Sequence, residues 1–342
     1  MSLVSRRAVL GGSLAALSIA AAPKPARAGA VTVEVGYVPF VTIAQLFVIA
    51  EEGWAKEAGI DLKPVRFSSG PALIQAVASG KFEATYCAVS PVTVARAAGV
   101  DLKIVATNGI ESVSLVAGGP LSDAFGKAKS PAEAFALFKS AHGRPAKLGA
   151  LPKGTIPDSA LRFYLEANGV PASDTEILGQ GEEQVRQALL AKAIDGAAMP
   201  EPVISIALAK DPTARVVANG RQLLPGQPGF VLSLRESFIK AHPEAARTLV
   251  ALNDRATELI KTDPQRAVKS VLKHLGRGLI PEDVLLTALT SPYNPVSSDP
   301  NLILASTEQL QDFQVRIGAQ SRAIPNDELF DLSFYNALKG GR

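Results

Sequence analysis

Two strand-like runs in the first third of the chain each end at a serine, and a proline follows at once or one residue later. The first copy is Ser69-Gly70-Pro71 and the second is Ser90-Pro91, and an alanine-rich helical segment follows each. Serine at a helix start can cap a free backbone N–H, and proline is tolerated there because its missing N–H would be unpaired anyway. The remaining N–H groups and the helix dipole also favour a bound anion. The pattern therefore predicts either plain helix capping or an anion site.

A third junction of this kind, LPKGT (151–155), lies between a strand-like and a helical run in the middle of the chain. Gly70 and Gly154 carry no side chain, so a ligand could approach their backbone closely. A hydrogen bond to a charged group contributes about 1.5–3 kcal/mol, and four or five approach the ~8 kcal/mol of micromolar binding after ordering costs. We therefore expect an anion to be bound without lysine or arginine, by Ser69, Gly70, Ser90 and Thr155.

Three further side chains are candidates for contact with a ligand. Tyr37 and Phe40 follow the first strand-like run, where they could line a pocket or pack in the core. Glu201, in Met199-Pro200-Glu201-Pro202, could accept a hydrogen bond from an amine or hydroxyl of a ligand, or it could cap the next helix.

The sequence contains no recognisable catalytic or metal-binding motif. HExxH, GxSxG, CxxC and a phosphate-loop motif are all absent, and the three histidines lie far in sequence from one another and from Cys87. Cys87 is the only cysteine, so an intramolecular disulfide is excluded. We therefore predict a chain that is not an enzyme and that has no catalytic residue, metal or cofactor.

The first 28 residues have the organisation of a cleaved export signal. Arg6 and Arg7 precede an apolar run at 8–22, and Ala26-Arg27-Ala28 provides a cleavage site. The apolar run is shorter than the roughly 20 residues that span a bilayer. The paired arginines are typical of the twin-arginine signal, and a Sec signal is the alternative. The sequence predicts an exported, periplasmic protein.

Removal of this segment changes the charge of the chain. Four of the 35 basic residues lie in residues 1–28, which have no acidic residue, so the remainder carries 31 basic and 32 acidic residues and a formal net charge of −1. The positive balance of the full sequence therefore gives no support for nucleic-acid binding.

Strand-like and helical runs alternate in two blocks, 31–110 and 146–222, and the rest is mostly helical. This alternation predicts an α/β fold with βαβ units and parallel sheets.

The length of the chain favours two lobes, because about 314 residues after cleavage exceed the size at which a single hydrophobic core keeps growing. We assign residues 29–112 and 230–342 to the first lobe and residues 113–229 to the second, with hinge crossovers near 108–120 and 220–232. In such sheets a ligand crevice lies beyond the carboxyl ends of the strands, here a cleft between the lobes.

Several local patterns, in this order, resemble the periplasmic solute-binding proteins of ABC transporters of the nitrate, sulfonate and taurine group. They are GYVPF (36–40), AEEGWAKEAGIDL (50–62), FSSGPALIQAVASGKFEATY (67–86), GVDLKIVA (99–106), LPKGT (151–155), LLAKAIDGAAMPEP (189–202) and HPEAARTLV (242–250). The resemblance covers essentially the whole chain after the signal. It implies the type II periplasmic-binding fold, in which each lobe is a central sheet flanked by helices and the ligand cleft lies between the lobes.

The resemblance also implies a function and partners. The expected protein is a monomer that captures a small organic anion, such as a sulfonate, taurine or nitrate, by hinge closure. It would deliver that solute to ABC permease subunits and meet the membrane only through them. The alternatives are the same role for an aromatic carboxylate or a pyrimidine or flavin precursor, and an enzyme built on the same two-lobed fold.

Overall fold

A computed structural model describes residues 30–276 and 280–340. The predicted signal peptide, with its paired arginines and its cleavage site, lies outside the described residues. Over the described ranges, no helix has both the length and the apolarity that crossing a membrane requires.

Five strands form the first sheet. They are β1 (Val31–Tyr37), β2 (Ile60–Arg66), β3 (Ala84–Ala88), β4 (Leu102–Thr107) and β10 (Phe230–Arg235). Their spatial order is β2-β1-β3-β10-β4. Strand β1 pairs in parallel with β2 and β3, whereas β10 runs antiparallel between β3 and β4. The alternation predicted a parallel sheet, and the one antiparallel strand is the segment that returns from the distant part of the chain.

The helices of this lobe follow the strands in the expected alternation. They are α1 (Ala44–Glu51), α2 (Trp54–Glu57), α3 (Gly70–Ala78) and α4 (Val89–Ala97). Helix α3 buries Leu73 and Val77, which lie four residues apart and therefore on one face. Helix α4 begins at Val89 rather than at the predicted residue 91, so Ser90 lies inside its first turn and does not cap it.

Five shorter strands form the second sheet. They are β5 (Ser114–Ala117), β6 (Ala146–Ala150), β7 (Thr175–Gly179), β8 (Gly196–Met199) and β9 (Arg215–Ala218). Their spatial order is β7-β6-β8-β5-β9. Strand β6 pairs in parallel with β7 and β8, and β5 runs antiparallel to β8 and β9. The second sheet therefore repeats the arrangement of the first, with an antiparallel strand next to one edge.

Six helices surround this second sheet. They are α5 (Gly119–Lys127), α6 (Pro131–His142), α7 (Ile156–Ala167), α8 (Glu182–Leu190), α9 (Val203–Lys210) and α10 (Gly220–Leu223). Helix α5 forms although its sequence contains two glycines. Gly119 and Gly126 lower the helix propensity of that segment, and the burial of Leu121 and Ala124 compensates for it.

Two segments connect the sheets, 108–113 and 224–230, and they run side by side as what we call the crossover ribbon. The Asn108 N–H donates to the Phe230 carbonyl over 2.8 Å, and the Glu111 N–H donates to the Gln227 carbonyl over 2.8 Å. The buried Gln227 side chain bonds both backbone groups of Val113, at 2.9 and 3.3 Å. We propose lobe boundaries at 112/113 and 229/230, within this ribbon.

The C-terminal part of the chain is helical. Its helices are α11 (Glu236–Ala241), α12 (Pro243–Thr262), α13 (Pro264–Val271), α14 (Glu282–Leu289), α15 (Leu304–Arg316), α16 (Asn326–Leu329) and α17 (Ser333–Gly340). Helix α12 packs on α1 in the first lobe, while α15 contacts both α4 and α7. Helix α15 therefore joins the two lobes at a point distant in sequence from the crossover ribbon.

Candidate functional site

The two serine–proline junctions of the first lobe lie next to each other. Ser69 caps α3, because its Oγ accepts a hydrogen bond from the Ala72 N–H at 3.4 Å. A Cβ added to Gly70 would lie 2.6 Å from Cγ of Pro91, so the starts of α3 and α4 are in close contact there. Ser69 and Gly70 are half-buried, at the carboxyl edge of the first sheet.

Ser90 is buried and bonds to a residue that the sequence patterns did not single out. Its Oγ accepts a hydrogen bond from Nε2 of Gln314 at 2.9 Å. The Ser90 carbonyl accepts a second bond from the Thr93 hydroxyl at 2.8 Å, within the same helix. Ser90 is therefore a contact between α4 and α15.

In the second lobe, Thr155 is the residue before α7 and is half-buried. Its hydroxyl does not cap the helix; it donates to the Pro152 carbonyl at 2.8 Å and closes the preceding turn. Asp158 is buried in the first turn of α7, where it accepts bonds from the Gly154 N–H at 3.1 Å and from Nε of Arg162 at 2.8 Å. The 151–155 loop is thus held in place by its own polar groups.

Gln314 connects the two lobes. Besides Ser90, its Nε2 lies 2.7 Å from the Gly154 carbonyl oxygen and 3.3 Å from Oγ of Ser159, a buried residue in the first turn of α7. The first turns of α4 and α7, which follow strands of different sheets, therefore meet at one buried carboxamide. We call this group of residues the glutamine junction: Ser90, Gly154, Ser159 and Gln314.

A sequence signal for Gln314 exists, although the junction motifs alone did not reveal it. Positions 307, 310, 311 and 314 follow the i, i+3, i+4, i+7 spacing of one helix face, and all four side chains are buried. Glutamines at two of these core-facing positions indicate buried amides that need partners from other elements.

Tyr37 and Phe40 also lie at the carboxyl edge of the first sheet, and both are nearly buried. The Tyr37 ring packs edge-on against Phe47, with centroids 5.5 Å apart. The Phe40 ring packs on Phe230, with centroids 4.9 Å apart. The sequence left two alternatives for these rings, lining a pocket or packing in the core. The observed contacts are those of core packing, and only a small part of each side chain is exposed to a ligand.

Glu201 follows β8 at the carboxyl edge of the second sheet and is fully buried. Its two carboxylate oxygens accept hydrogen bonds from the N–H and the hydroxyl of Ser205, both at 2.9 Å. Burial raises the pKa of Glu201, and hydrogen bonds from Ser291 and Ser205 oppose that rise. The carboxyl group is therefore engaged by the first turn of α9, as the capping alternative expected.

A carboxyl group also stands at the start of α8. Burial raises the pKa of Glu182 to about 7, and repulsion from Glu183 adds to the rise, while Arg186 and Arg66 lower it. Arg66 is the last residue of β2 in the first sheet, so charges of the two lobes face each other here. The carboxyl edge of the second sheet therefore carries a carboxyl group whose pKa is influenced by a positive charge of the first lobe.

Other features of the described residues do not point to chemistry. Two surface depressions of about 460 Å³ lie at the amino ends of strands, one beside β1 and β2 and one beside β9. Burial raises the pKa of the Cys87 thiol to about 12, which keeps it a neutral thiol. Within residues 30–276 and 280–340, no three histidine, cysteine, aspartate or glutamate side chains are grouped to hold a metal ion.

Comparison with known proteins gives relatives over most of the chain. The profile of the NMT1-like family matches residues 26–274. A putative aliphatic sulfonates-binding protein of Bacillus subtilis (strain 168) is 26% identical over 299 residues, which is 86% of this chain and 84% of that protein.

Solved structures share the fold at low sequence identity. The periplasmic aliphatic sulphonate binding protein SsuA from Escherichia coli has a TM-score of 0.70 and 17% identity, over 90% of this chain and 98% of SsuA. The periplasmic nitrate-binding protein NrtA from Synechocystis PCC 6803 has a TM-score of 0.70 and 16% identity, over 91% of this chain and 88% of NrtA. The predicted two-lobed type II periplasmic-binding fold is thereby confirmed. With the profile matching well over half of its length, the chain belongs to the NMT1-like family.

Proposed function

We propose that this protein is the solute-binding component of an ABC importer, which captures a small organic anion between its lobes and delivers it to a membrane permease. The observation that carries the proposal is the meeting of the first turns of α4 and α7 at the glutamine junction. Its family and its relatives with sulfonate-binding and nitrate-binding names support the same role.

The physical basis is the electrostatics of helix starts. Backbone N–H groups and the dipole of a helix favour negative charge at its N-terminus. Here such starts from two lobes meet at the glutamine junction, so an anion bound beside it would gain contacts from both lobes only in the closed form. A solute with this difference in affinity shifts the open–closed equilibrium towards closure.

The residues proposed to contact the solute are those at the cleft edges of both sheets. Ser69, Gly70, Ser90 and Thr155 would supply hydroxyl and backbone groups, while Tyr37 and Phe40 would form an apolar wall. Glu201 would contact the solute only through an edge of its buried carboxyl group, since both oxygens are bonded to Ser205.

The location and the partners of the protein follow from the same proposal. Export by the twin-arginine or the Sec route would bring it to the periplasm, where it would act as a monomer and contact the membrane through the permease. No catalytic role is proposed, because the bound solute is passed on unchanged.

A second class of solute is favoured by the acidic edge of the cleft. Glu182, with its pKa near 7, would disfavour a second negative charge nearby and would tolerate a neutral heteroaromatic solute. A neutral pyrimidine or flavin precursor is therefore the alternative ligand in the same transport role, whereas an aromatic carboxylate, the other alternative, is itself an anion and gains no support from Glu182.

The test is isothermal titration calorimetry of the chain without residues 1–28 against sulfonates, nitrate, phthalates and pyrimidines. We expect a sulfonate to bind with a micromolar or lower dissociation constant and to be recovered unchanged. Tight binding of a pyrimidine alone would favour the second class, and chemical conversion of a bound solute would contradict transport.

The proposed contacts can be tested with Ser69→Ala combined with Thr155→Ala. We expect solute affinity to fall by at least about tenfold, because Ser69 loses its hydroxyl and Thr155 loses the hydroxyl that holds the 151–155 loop by donating to the Pro152 carbonyl. The control is Ser130→Ala, since Ser130 is an exposed cap of α6 that accepts from the Glu133 N–H at 3.2 Å and is not among the proposed solute contacts. That control should lower the melting temperature and leave affinity unchanged; unchanged affinity in the double variant would contradict the proposed site.

A further inference from the structure

The carboxamide oxygen of Gln314 is a buried acceptor without a donor. The Gln314 side chain is 1% exposed, and its Oε1 has no hydrogen-bond partner among the described residues. Its Nε2, by contrast, lies within 3.3 Å of three acceptor atoms at the glutamine junction.

The orientation of this amide is fixed by a backbone carbonyl. Ser90 and Ser159 have hydroxyl groups that could either donate or accept, but the Gly154 oxygen, 2.7 Å away, can only accept. The NH₂ group must therefore face Gly154, and the oxygen must point away from it.

No hydrogen bond from the described residues reaches that oxygen, and two of the residues at the neighbouring helix starts are prolines. Pro91 lies in the first turn of α4 and Pro157 in the first turn of α7, and proline has no N–H to donate. A buried acceptor left without a donor is destabilising. Nine buried side-chain atoms of the described residues lack a partner, and this one lies where the helix starts of the two lobes meet.

We infer that Oε1 of Gln314 accepts a hydrogen bond from an N–H or O–H group of the solute. This inference rests on the proposed function and narrows it: the preferred solute carries a donor group a few bonds away from its anionic group. Gln314 would then determine specificity, because a solute without the donor would leave the oxygen unsatisfied in the closed form.

Three sulfonates that differ only in the group on the second carbon provide the test. On its second carbon ethanesulfonate has only hydrogen, where 2-hydroxyethanesulfonate has a hydroxyl and 2-aminoethanesulfonate an ammonium group. Titration calorimetry of the wild-type chain should show at least one donor-bearing compound binding about tenfold more tightly than ethanesulfonate. In Gln314→Met, which keeps the length and removes the acceptor, the preference should shrink to within about twofold.

Gln311→Met is the matched control. Gln311 is buried one turn earlier on α15, but both ends of its amide bond the backbone of Ile324, at 3.0 and 2.9 Å. Its replacement should lower the melting temperature and leave the preference among the three sulfonates intact.

The outcomes separate the two proposals. Equal affinity of the wild-type chain for all three sulfonates would overturn the role of Gln314 and leave the sulfonate function standing. A preference that survives in Gln314→Met would also overturn it. If none of the three binds, the sulfonate function fails and the inference fails with it.

Discussion

At the scale of single residues, the cleft edge of the second lobe is distinguished by two carboxyl groups with raised pKa values. The carboxylate of Glu201 accepts hydrogen bonds from Ser205 in the first turn of α9. Glu182 is only partly buried, and its charge interacts with those of Glu183, Arg186 and Arg66. A carboxyl group whose pKa is higher in the folded than in the unfolded chain binds protons preferentially when folded. Its ionisation therefore destabilises the native protein.

The pH dependence of this effect is testable with Glu182→Gln. The destabilisation begins near the ordinary pKa of 4.5 and is complete above about 7, so the variant should gain more thermal stability at neutral to alkaline pH than near pH 4.5. Melting temperatures measured across this range check the expectation.

Asp174→Asn is the control for that experiment, because a hydrogen bond from Lys139 lowers the pKa of Asp174. This variant should lose stability above the ordinary pKa and recover at acid pH, the opposite trend. A Glu182→Gln variant whose stability gain does not change with pH would contradict the assignment.

At the scale of secondary-structure elements, the crossover ribbon depends on close backbone approach. A Cβ added to Gly229 would lie 2.3 Å from the Gly109 carbonyl oxygen, a backbone atom that cannot rotate away. The two connections can therefore pair only while residue 229 has no side chain.

Gly229→Ala should accordingly destabilise the protein by about 1–3 kcal/mol, the usual cost of overpacking. Chemical denaturation measures the change. The matched control is Gly126→Ala in α5, where the added Cβ has open space and a gain of about 0.5–1 kcal/mol from helix propensity is expected. Wild-type stability in Gly229→Ala would mean that the ribbon can shift without cost.

At the scale of the whole molecule, α15 is a second connection between the lobes. The Phe313 ring on α15 packs edge-on against Phe163 of α7, with centroids 5.8 Å apart. Arg316 pairs with Glu166 at 2.8 Å, and the Ser306 hydroxyl donates to the Gly226 carbonyl at 2.6 Å. Opening of the cleft must therefore either carry α15 with α7 or break these contacts.

Phe313→Leu should favour the open form by weakening the contact between α15 and α7. Its expected cost in stability is about 1 kcal/mol, and the radius of gyration from small-angle X-ray scattering without solute should increase. Phe135→Leu is the matched control, since Phe135 packs on Phe125 wholly within the second lobe, with centroids 5.4 Å apart. It should lose similar stability without a change in radius; an equal radius in both variants would show that α15 does not restrain opening.

The sequence by itself determined the features that depend on neighbouring residues and on the length of the chain. The alternation of β-branched and polar residues predicts the strands, the capping residues predict the start of α3, and the length of the chain favours two lobes. Ser69 caps its helix as expected, because that bond is made within three residues. The prediction that Ser90 caps α4 was wrong, because the helix starts at Val89, two residues before Pro91.

Only the tertiary structure decided which of these groups meet. Gln314 lies more than two hundred residues from Ser90, yet its amide joins Ser90 to Gly154, because α15 packs between two helices of different lobes. Tyr37, Phe40 and Glu201 lie at the carboxyl edges of the sheets, but their burial depends on Phe47, Phe230 and Ser205 packing around them. Capping and periodicity act over a few residues, whereas packing between distant elements selects the partners of each side chain.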